Sequence, residues 1–445
     1  MSSTIIERGP HVWQGLGANI ISADATRLSN ALNQVNFRWG RLHIEAPDPG
    51  ASAIAFSDAQ WDAYWKDPIT ACRSTYLTLV SKRMSILYAL SRPPLSFLDS
   101  TRALRGDALV AFARMSVSAV MTIHKRNMKV EWVQICHAPS DLRGNAYMTT
   151  NNMMILVQAF RTILLSRSES LKVKLIGPGL QHLLSQNQAS EPYITAKVPW
   201  DAWTIDILEP VTDERFYNAG NFEARKYVQR RLEQTLRFMN RARPGIPKFI
   251  TAVSTNATRF QIGIDYGPSA SEITEYAFRI LDTLCHLVNA GCVTSFPWFI
   301  PGRKHDNRSA YRANGSKRPF YEILSLFSHC VPVESAVFSV QKALTDVQDE
   351  TIKLIACKDN TFGIVLSRAQ ADDATAGALR LEIKNDDWKS DKATTVTMTF
   401  SLFPESVSAD MIQHTVEVVN GLLTLSMKRI PYNCAIFIKG DIYKI

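Results

Sequence analysis

Residues 136–145 read CHAPSDLRGN, and the sequence on either side shows what this stretch joins. Before it, Met128–Ile135 (MKVEWVQI) alternates apolar and polar residues, which is typical of a β-strand. After it, Asn151–Leu165 carries apolar residues at helical spacing, and Val173–Ile176 (VKLI) indicates the next strand. The stretch is therefore predicted to be the loop of a strand-loop-helix-strand unit.

The same alternation of strands and helices extends on both sides of this unit. Eight repeats of a strand followed by a helix favour a closed parallel barrel over an open sheet. The predicted barrel strands are residues 13–21, 37–44, 86–95, 128–135, 173–176, 200–210, 247–255 and 292–299.

The period of the pattern changes near residue 336. From there on, short strands are separated by polar turns, which favours a β-sandwich. These strands are predicted at residues 337–340, 351–357, 362–366, 378–383, 394–400, 414–419, 422–427 and 434–438. We therefore predict a (β/α)8 TIM barrel over residues 1–335 and a β-sandwich domain over residues 336–445.

Composition places the chain among soluble globular proteins. Its 445 residues, 46% hydrophobic and 20% charged, are enough for one large domain and a smaller one with a full core. The first residues, MSSTIIERGPHVWQG, have no basic segment leading into an apolar run, and no stretch of about 18 apolar residues follows. We expect no membrane partner, and a cytoplasmic protein or one exported by a route that the sequence does not show.

The cysteine and charge patterns argue against several kinds of partner. Seven cysteines are scattered without a CxxC pair, so we expect reduced, buried thiols and no zinc site. The net charge is +9, and residues 225–243 form a basic run. Apolar residues punctuate that run at helical spacing, which favours a solvated outer helix over a nucleic-acid face.

Cofactor motifs are also missing from the sequence. The segment GLGAN at residues 15–19 does not complete a GxGxxG motif, and no Gly-Lys-Ser/Thr follows it, so a phosphate loop is not predicted. No HExxH motif occurs, and the histidines lack ligand spacing. We expect neither a cofactor nor a metal.

At residues 136–145 the sequence resembles the retaining glycoside hydrolases of families 30 and 39, which belong to clan A and carry a C-terminal β-sandwich. In those families the fourth barrel strand ends in Asn-Glu-Pro, a few residues before a Gly-Asn and the next helix. Here the tripeptide is His137-Ala138-Pro139, and Gly144-Asn145 follow. The resemblance implies that Ala138 occupies the position of the acid/base glutamate.

A second departure lies in the predicted seventh strand. Pro247–Thr255 (PKFITAVST) resembles the family strand that ends in Thr-Glu or Ser-Glu, whose glutamate is the nucleophile. The register places Val253 or Ser254 there, and no Asp or Glu occurs from residue 245 to residue 264.

Other segments resemble the framework of these families. In FRWGRLHI (residues 37–44), Arg41 matches an arginine that supports the catalytic pocket. In DAWTI (residues 201–205), the next residue is Asp206, where the family has a histidine. Trp298 matches the tryptophan of the pocket floor, and the segments GLGANI (15–20) and NAG (289–291) also agree.

The missing carboxylates suggest what the protein does. A retaining glycosidase needs two carboxyl groups about 5 Å apart, one as nucleophile and one as acid/base. With Ala138 and Ser254 at those positions, we expect a pseudoglycosidase that binds a sugar or glycoside in the barrel mouth without cutting it. The expected ligand-binding residues are Arg41, Glu45, His137, Asn145, Asp206, Ser254 and Trp298.

The alternative is a repurposed barrel enzyme. Ends of barrel strands carry the chemistry of TIM-barrel enzymes, and an Asp with a His supports elimination, isomerisation or inverting attack without a covalent intermediate. The expected catalytic residues are then Asp206, His137 and Asp141. Further candidates are Glu45, Asp48, Glu209 and Asp306.

Each candidate is also compatible with a purely structural role. His137 fits a buried histidine bonded to a backbone carbonyl, and Asp206 fits a turn former at a strand end. Arg41 would stabilise the barrel by pairing with a nearby carboxylate. Glu209, before Pro210, would only end a strand, and Trp298 would be core. The sequence leaves the ligand and the oligomeric state open.

Overall fold

The computed structural model of the chain describes most of the barrel and of the β-sheets. The described residues are 5, 6, 8–21, 25–90, 92–136, 148–181, 192–209, 234–255, 270–297, 310, 311, 316–338, 352–368, 379–385, 388, 394–403, 414–427 and 434–444.

The chain starts with two strands, β1 (Ile5–Ile6) and β2 (Arg8–Trp13), and then enters a sheet of eight parallel strands. Each of the first seven of these strands pairs with the next one along the chain. They are β3 (Gly17–Ile21), β4 (Trp39–Ile44), β5 (Ser85–Leu90), β6 (Trp132–Gln134), β7 (Lys174–Gln181), β8 (Ala202–Glu209), β9 (Lys248–Thr255) and β10 (Thr294–Pro297).

The first and last barrel strands meet at a seam that side chains bridge. Asn19 Nδ2 donates to the Phe296 carbonyl at 2.6 Å, and Thr294 Oγ1 donates to the Gly15 carbonyl at 2.8 Å. Gly17 lies against the Phe296 ring, where a Cβ would come within 2.3 Å of it. The nearly closed parallel barrel predicted from the sequence is therefore confirmed.

Helices follow the barrel strands. The longest helix among the described residues, α2, begins with a capping box in which the Ser57 amide donates to Gln60 Oε1 at 2.9 Å. Within the described residues, no helix has the length and apolar character needed to cross a membrane. Apart from single helical turns at residues 51–55, 95–97 and 192–195, the described helices are α1 (Ala25–Leu32), α2 (Asp58–Ser81), α3 (Ala108–Lys125), α4 (Thr150–Arg167), α5 (234–242), α6 (Ala270–Asn289) and α7 (Pro319–Cys330).

Two antiparallel-rich sheets contain the other described strands. The six-stranded sheet has the order β15-β18-β13-β12-β11-β2, and the four-stranded sheet has the order β1-β14-β17-β16. Their C-terminal strands are β11 (Ser335–Phe338), β12 (Ile352–Lys358), β13 (Thr361–Arg368), β14 (Leu379–Lys384), β15 (Thr394–Phe403), β16 (His414–Val419), β17 (Leu422–Met427) and β18 (Cys434–Lys444). The predicted β-rich C-terminal part is confirmed.

The six-stranded sheet packs against the helices of the barrel. The Phe278 ring of α6 meets the Phe403 ring of β15 edge to face at 5.3 Å, and Asp282 pairs with Lys353 at 3.2 Å. Cys330 Sγ, at the end of α7, donates to the Ile438 carbonyl at 3.2 Å. All seven cysteines are buried free thiols.

The N-terminal residues pair with the C-terminal sheets. β2 runs antiparallel to β11, and β1 runs parallel to β14. The domain division at residue 335 stays a prediction. These ladders show that β1 and β2 belong to the C-terminal sheets and not to the barrel. Helix α7 was not predicted, although Pro319 is its first residue, a position that proline favours.

Inward-facing side chains fill the barrel in two layers. The lower layer, toward the N-terminal ends of the strands, is apolar. Its rings lie 5.4 Å apart for Trp39 and Phe249 and 5.2 Å apart for Trp132 and Phe249, with Leu87 and Phe296 buried beside them. Two residues further along β4, β6 and β9, the inward side chains are polar. This upper layer forms the floor of the barrel's C-terminal end.

Candidate functional site at the C-terminal end of the barrel

A buried arginine organises the upper layer. Arg41 on β4 is fully buried, and its Nε and Nη2 donate to Gln134 Oε1 at 3.1 and 2.6 Å. Its Nη1 donates to Asn19 Oδ1 at 2.8 Å and to the Thr251 carbonyl at 2.9 Å. The guanidinium thus ties β3, β4, β6 and β9 together across the barrel interior.

The amide of Asn19 has only one orientation that fits these bonds. Its Nδ2 donates to the carbonyls of Thr251 and Phe296 at 2.9 and 2.6 Å, so its Oδ1 faces the Arg41 donor. His43 Nε2 lies 3.1 Å from the same Oδ1. Since that oxygen only accepts, His43 carries its hydrogen on Nε2 and has Nδ1 as its basic nitrogen.

His43 is neutral at physiological pH. Removal from water, and secondarily the charge of Arg41, hold its pKa well below the ordinary value of 6.5. Its ring therefore acts as a fixed donor to Asn19 and not as a cation.

Asp206 is the ionisable carboxyl group of this layer. It is fully buried on β8, and Thr251 Oγ1 donates to its Oδ1 at 2.5 Å. Burial raises its pKa to about 6, although the charge of Arg41, the Thr251 hydroxyl and the charge of Arg92 all act to lower it. Asp206 can therefore both release and take up a proton near neutral pH.

Arg41 keeps its charge beside this carboxyl. Burial lowers its pKa to about 10, an effect that the charge of Asp206 partly offsets. The pKa of each group is shifted in the direction that favours its neutral form, because the effect of desolvation on the pKa exceeds the opposite effect of the partner's charge. The roles expected of Arg41 from the sequence, support of a catalytic pocket or pairing with a nearby carboxylate, stay predictions. Its described hydrogen bonds go to two side-chain amides and a backbone carbonyl.

Asp48 holds the barrel rim together. Its carboxylate accepts from the Gly50 amide at 2.9 Å, from the Ser96 amide at 3.0 Å and from Ser96 Oγ at 2.5 Å. Burial acts to raise its pKa, but these bonds lower it overall. Asp48 therefore joins the loops after β4 and β5 as a permanent carboxylate, which makes it a poor acid/base group. Glu45, on the same loop, is exposed.

The structure brings Arg41 and Asp206 together, and it describes the side chains of Glu45 and Asp48 on the rim. His137, Ala138, Asp141, Asn145, Trp298 and Asp306 lie outside the described residues. For Glu209, Val253 and Ser254 the backbone alone is described, with Val253 paired to Ile207 and Ser254 to Leu208. β9 is the seventh strand of the barrel, as the sequence predicts.

Five members of the polar layer were not predicted as site residues. Asn19, His43, Gln134, Thr204 and Thr251 share one sequence signal, since each is polar at an inward position of a predicted barrel strand. Gln134 Nε2 also lies 3.4 Å from Thr204 Oγ1, which links β6 to β8. Period-two counting finds His43 from Arg41 on β4 and Thr204 from Asp206 on β8, whereas Asn19, Gln134 and Thr251 lie on other strands.

Metal binding has no candidate in this part of the chain. Among the described residues, no three His, Cys, Asp or Glu side chains come together as a possible metal site.

Comparisons with known proteins give different results by sequence and by structure. No protein-family model matches the sequence, and no curated protein matches it. Solved structures do match. A glycoside hydrolase family 30 subfamily 8 xylanase from Clostridium acetobutylicum is 12% identical, with 99% of each chain covered and a TM-score of 0.64.

Two further structures give the same result. A family 39 enzyme from Xanthomonas axonopodis pv. citri is 12% identical, covers 99% of this chain and 97% of its own, and has a TM-score of 0.60. A monomeric β-xylosidase from Caulobacter crescentus is 12% identical over 99% of each chain, also with a TM-score of 0.60. The chain therefore shares, over nearly its full length, the fold of the family 30 and family 39 glycoside hydrolases that its sequence resembles.

Proposed function

We propose that this protein is a pseudoglycosidase, which binds a sugar or glycoside-like ligand in the barrel mouth and does not hydrolyse it by the retaining route. The observation that carries the proposal is the end of the seventh barrel strand, where β9 closes in Ala-Val-Ser-Thr with no carboxyl group. Strand seven is where the similar families place their nucleophile. Neither Val253 nor Ser254 can act as the carboxylate nucleophile of that mechanism.

The fourth strand supports the same conclusion. In the stretch that resembles the family's acid/base motif, Ala138 stands where the glutamate would be. A retaining enzyme needs both groups about 5 Å apart, and replacing either one removes most of the covalent route. Since both replacements occur in a barrel that keeps its strands, they favour a protein with a different function over one that has lost its fold.

The polar layer offers groups that suit a hydroxylated ligand. Asp206 and His43 supply a carboxyl group and an imidazole, and Arg41 fixes the amides beneath them. Together with Glu45, His137, Asn145, Ser254 and a stacking Trp298, they make up the proposed binding site. Sugars are bound by such a combination of planar hydrogen-bonding groups and an aromatic face.

Binding is tested by calorimetry with soluble oligosaccharides. The similar structures include enzymes named xylanase and β-xylosidase, so xylo-oligosaccharides and simple β-glycosides are the first probes. We expect saturable binding that weakens at least tenfold in an Asp206→Asn variant and is kept in a Glu417→Gln variant, whose exposed carboxylate lies on β16. No heat of binding at millimolar ligand over the whole panel would contradict the proposal.

One observation favours a second candidate, a repurposed enzyme. Asp206 has a pKa of about 6, which suits a general acid/base near neutral pH, and Thr251 Oγ1 donates a hydrogen bond to its Oδ1. With His137 and Asp141 it would support elimination, isomerisation or atypical hydrolysis. A turnover whose pH profile bends near 6, and which is lost in Asp206→Asn, would select this candidate over the first.

A further inference from the structure

The N-terminal end of the barrel, opposite the mouth, is rich in exposed cations. Because the barrel strands run parallel, the residues that lead into them meet at this one end. We call the exposed basic residues at or just before the starts of β4, β5, β7 and β8 the basic collar. Its members are Arg38, Lys82, Arg83, Lys172, Lys174 and Lys197.

Acidic side chains do not balance the basic collar. Among the described residues, Lys174 is its only member with a salt bridge, which joins its Nζ to Glu131 at 3.3 Å. Asp201 and Glu334 are paired with cations outside the collar, and Glu169 is exposed. The basic collar therefore presents an excess of positive charge to solvent, which attracts an anionic partner.

The helix macrodipoles account for only part of this charge. Lys82 and Arg83 directly follow α2, where a cation offsets the negative end of the helix. That effect falls off within the last turn. Arg38 and Lys172 lie more than one turn beyond the ends of α1 and α4, so the helices do not explain their charges.

Two members of the basic collar keep a long side chain where the backbone favours glycine. Arg83 has a φ of 57° and Lys197 a φ of 54°, both in the left-handed region. Glycine adopts this conformation without the steric cost that a Cβ brings. The chain thus holds local strain at two points that present cations, and such strain is concentrated at functional sites.

Aromatic side chains lie beside these cations. Trp39 and Trp132 belong to the lower layer and are partly exposed. Lys174 Nζ lies 4.6 Å from the centre of the Trp132 ring, so a cation and an indole occur side by side. That combination suits a sugar that carries an acidic group, because the apolar face of a sugar packs on an indole while a carboxylate or sulfate pairs with a lysine.

We propose that the basic collar binds an acidic polysaccharide, at the end of the barrel opposite the proposed glycoside site. The choice of a sugar polymer rests on the proposed function, whereas the choice of an anion rests on the charges of the collar. The described connections that lead into the barrel strands contain no helix or hairpin that could enter the groove of a nucleic-acid duplex.

The test is binding of the full chain to immobilised polygalacturonate and to immobilised heparin, measured by surface plasmon resonance over a range of salt concentrations. We expect saturable binding to at least one polymer that weakens as salt rises. The Lys172→Glu, Lys197→Glu variant should bind at least about tenfold more weakly at low salt. Neither lysine has a side-chain hydrogen bond or salt bridge within the described residues, so this variant should fold, as circular dichroism would show.

The matched control is Lys384→Glu, Lys439→Glu, which makes the same change in net charge at exposed lysines of β14 and β18. It should bind within about twofold of the natural chain, because it leaves the basic collar unchanged. Asp206→Asn alters the opposite end of the barrel and should also bind the polymer normally, even if the mouth binds no sugar.

Other anions complete the test. Single-stranded oligodeoxythymidine and phosphatidylserine vesicles should bind more weakly than the polymer at the same salt concentration. The proposal would be overturned by no binding to either polymer, by equal losses in the two double-lysine variants, by loss of binding in Asp206→Asn, or by tighter binding to the oligonucleotide or the vesicles.

Discussion

The interior of the barrel contains two layers that differ in chemistry although the same strands supply both. The lower layer is aromatic and apolar, and the upper layer is a set of hydrogen bonds centred on one guanidinium. On three strands the change takes place within two residues. The pairs are Trp39 and Arg41, Trp132 and Gln134, and Phe249 and Thr251.

The two layers differ in the amino-acid substitutions that they tolerate. Apolar burial is non-directional and roughly proportional to area, so the lower layer accepts changes that preserve volume. A buried polar network is stable only while every member has its partner. The lower layer therefore acts as framework, while the upper layer is a specific arrangement that a functional site at the barrel mouth would need.

The largest expected effect comes from breaking the upper layer at its centre. Arg41→Met removes four donated hydrogen bonds and leaves Asp206 as a buried charge without this cation. We expect a loss of about 3–5 kcal/mol in the free energy of unfolding, measured by urea denaturation at pH 7.

A double variant sharpens the Arg41 prediction. Adding Asp206→Asn removes the remaining charge and should recover part of the loss, since the two groups interact. Arg38→Ala, at an exposed arginine directly before β4, serves as the control and should change the free energy of unfolding by less than about 0.5 kcal/mol. An Arg41→Met protein as stable as the natural chain would mean that the network does not hold the barrel.

The pH dependence of Asp206 gives the next effect. Its pKa is about 6 in the folded chain against 3.8 for the ordinary group, so the folded state binds more protons between these values. Stability from this group is therefore present below pH 3.8 and is lost as the pH rises through 6. Relative to Asp206→Asn, the natural chain should lose about 3 kcal/mol across this window, at about 1.4 kcal/mol per pKa unit.

Denaturant midpoints measured every half pH unit for both proteins would show this difference. An Asp201→Asn variant, whose partly exposed carboxylate lies at the start of the same strand, provides the control for general pH effects. A stability difference between the natural chain and Asp206→Asn that does not change with pH would show that Asp206 is not buried as described.

The smallest effect is expected from the lower layer. Phe249→Leu keeps an apolar side chain but leaves a small cavity between Trp39 and Trp132. We expect a loss of about 1–2 kcal/mol that does not vary between pH 4 and pH 8, measured by the same denaturation series. A pH-dependent loss would mean that the two layers are coupled and not separate.

The strands and their order could be predicted from the sequence because burial imposes a visible period. β4 and β9, with bounds of Trp39–Ile44 and Lys248–Thr255, lie within their predicted ranges. β7 is longer than predicted, since it continues through Gly177, Pro178 and Gly179, residues that ordinarily end a strand. A register shift between Pro178 and Leu180 accommodates them, and such irregularities depend on the neighbouring strand.

The polar network was less visible in the sequence because it depends on contacts between distant residues. Arg41 meets Gln134 across 93 positions and Thr251 across 210. Asn19 lies in an apolar strand and Gln134 in one that alternates apolar and polar residues, and their contacts with Arg41 follow only from the closure of the barrel. The pairing of β2 with β11 is likewise a long-range contact that a local pattern does not encode.

The rate of aryl glycoside hydrolysis tests the proposed function most directly. Purified natural chain is incubated with aryl β-xylosides and β-glucosides, with Asp206→Asn as the matched control, and release of the aryl alcohol is followed. We expect both proteins to release it no faster than buffer alone. Turnover by the natural chain at about 1 per second or more, absent from Asp206→Asn, would contradict the pseudoglycosidase proposal.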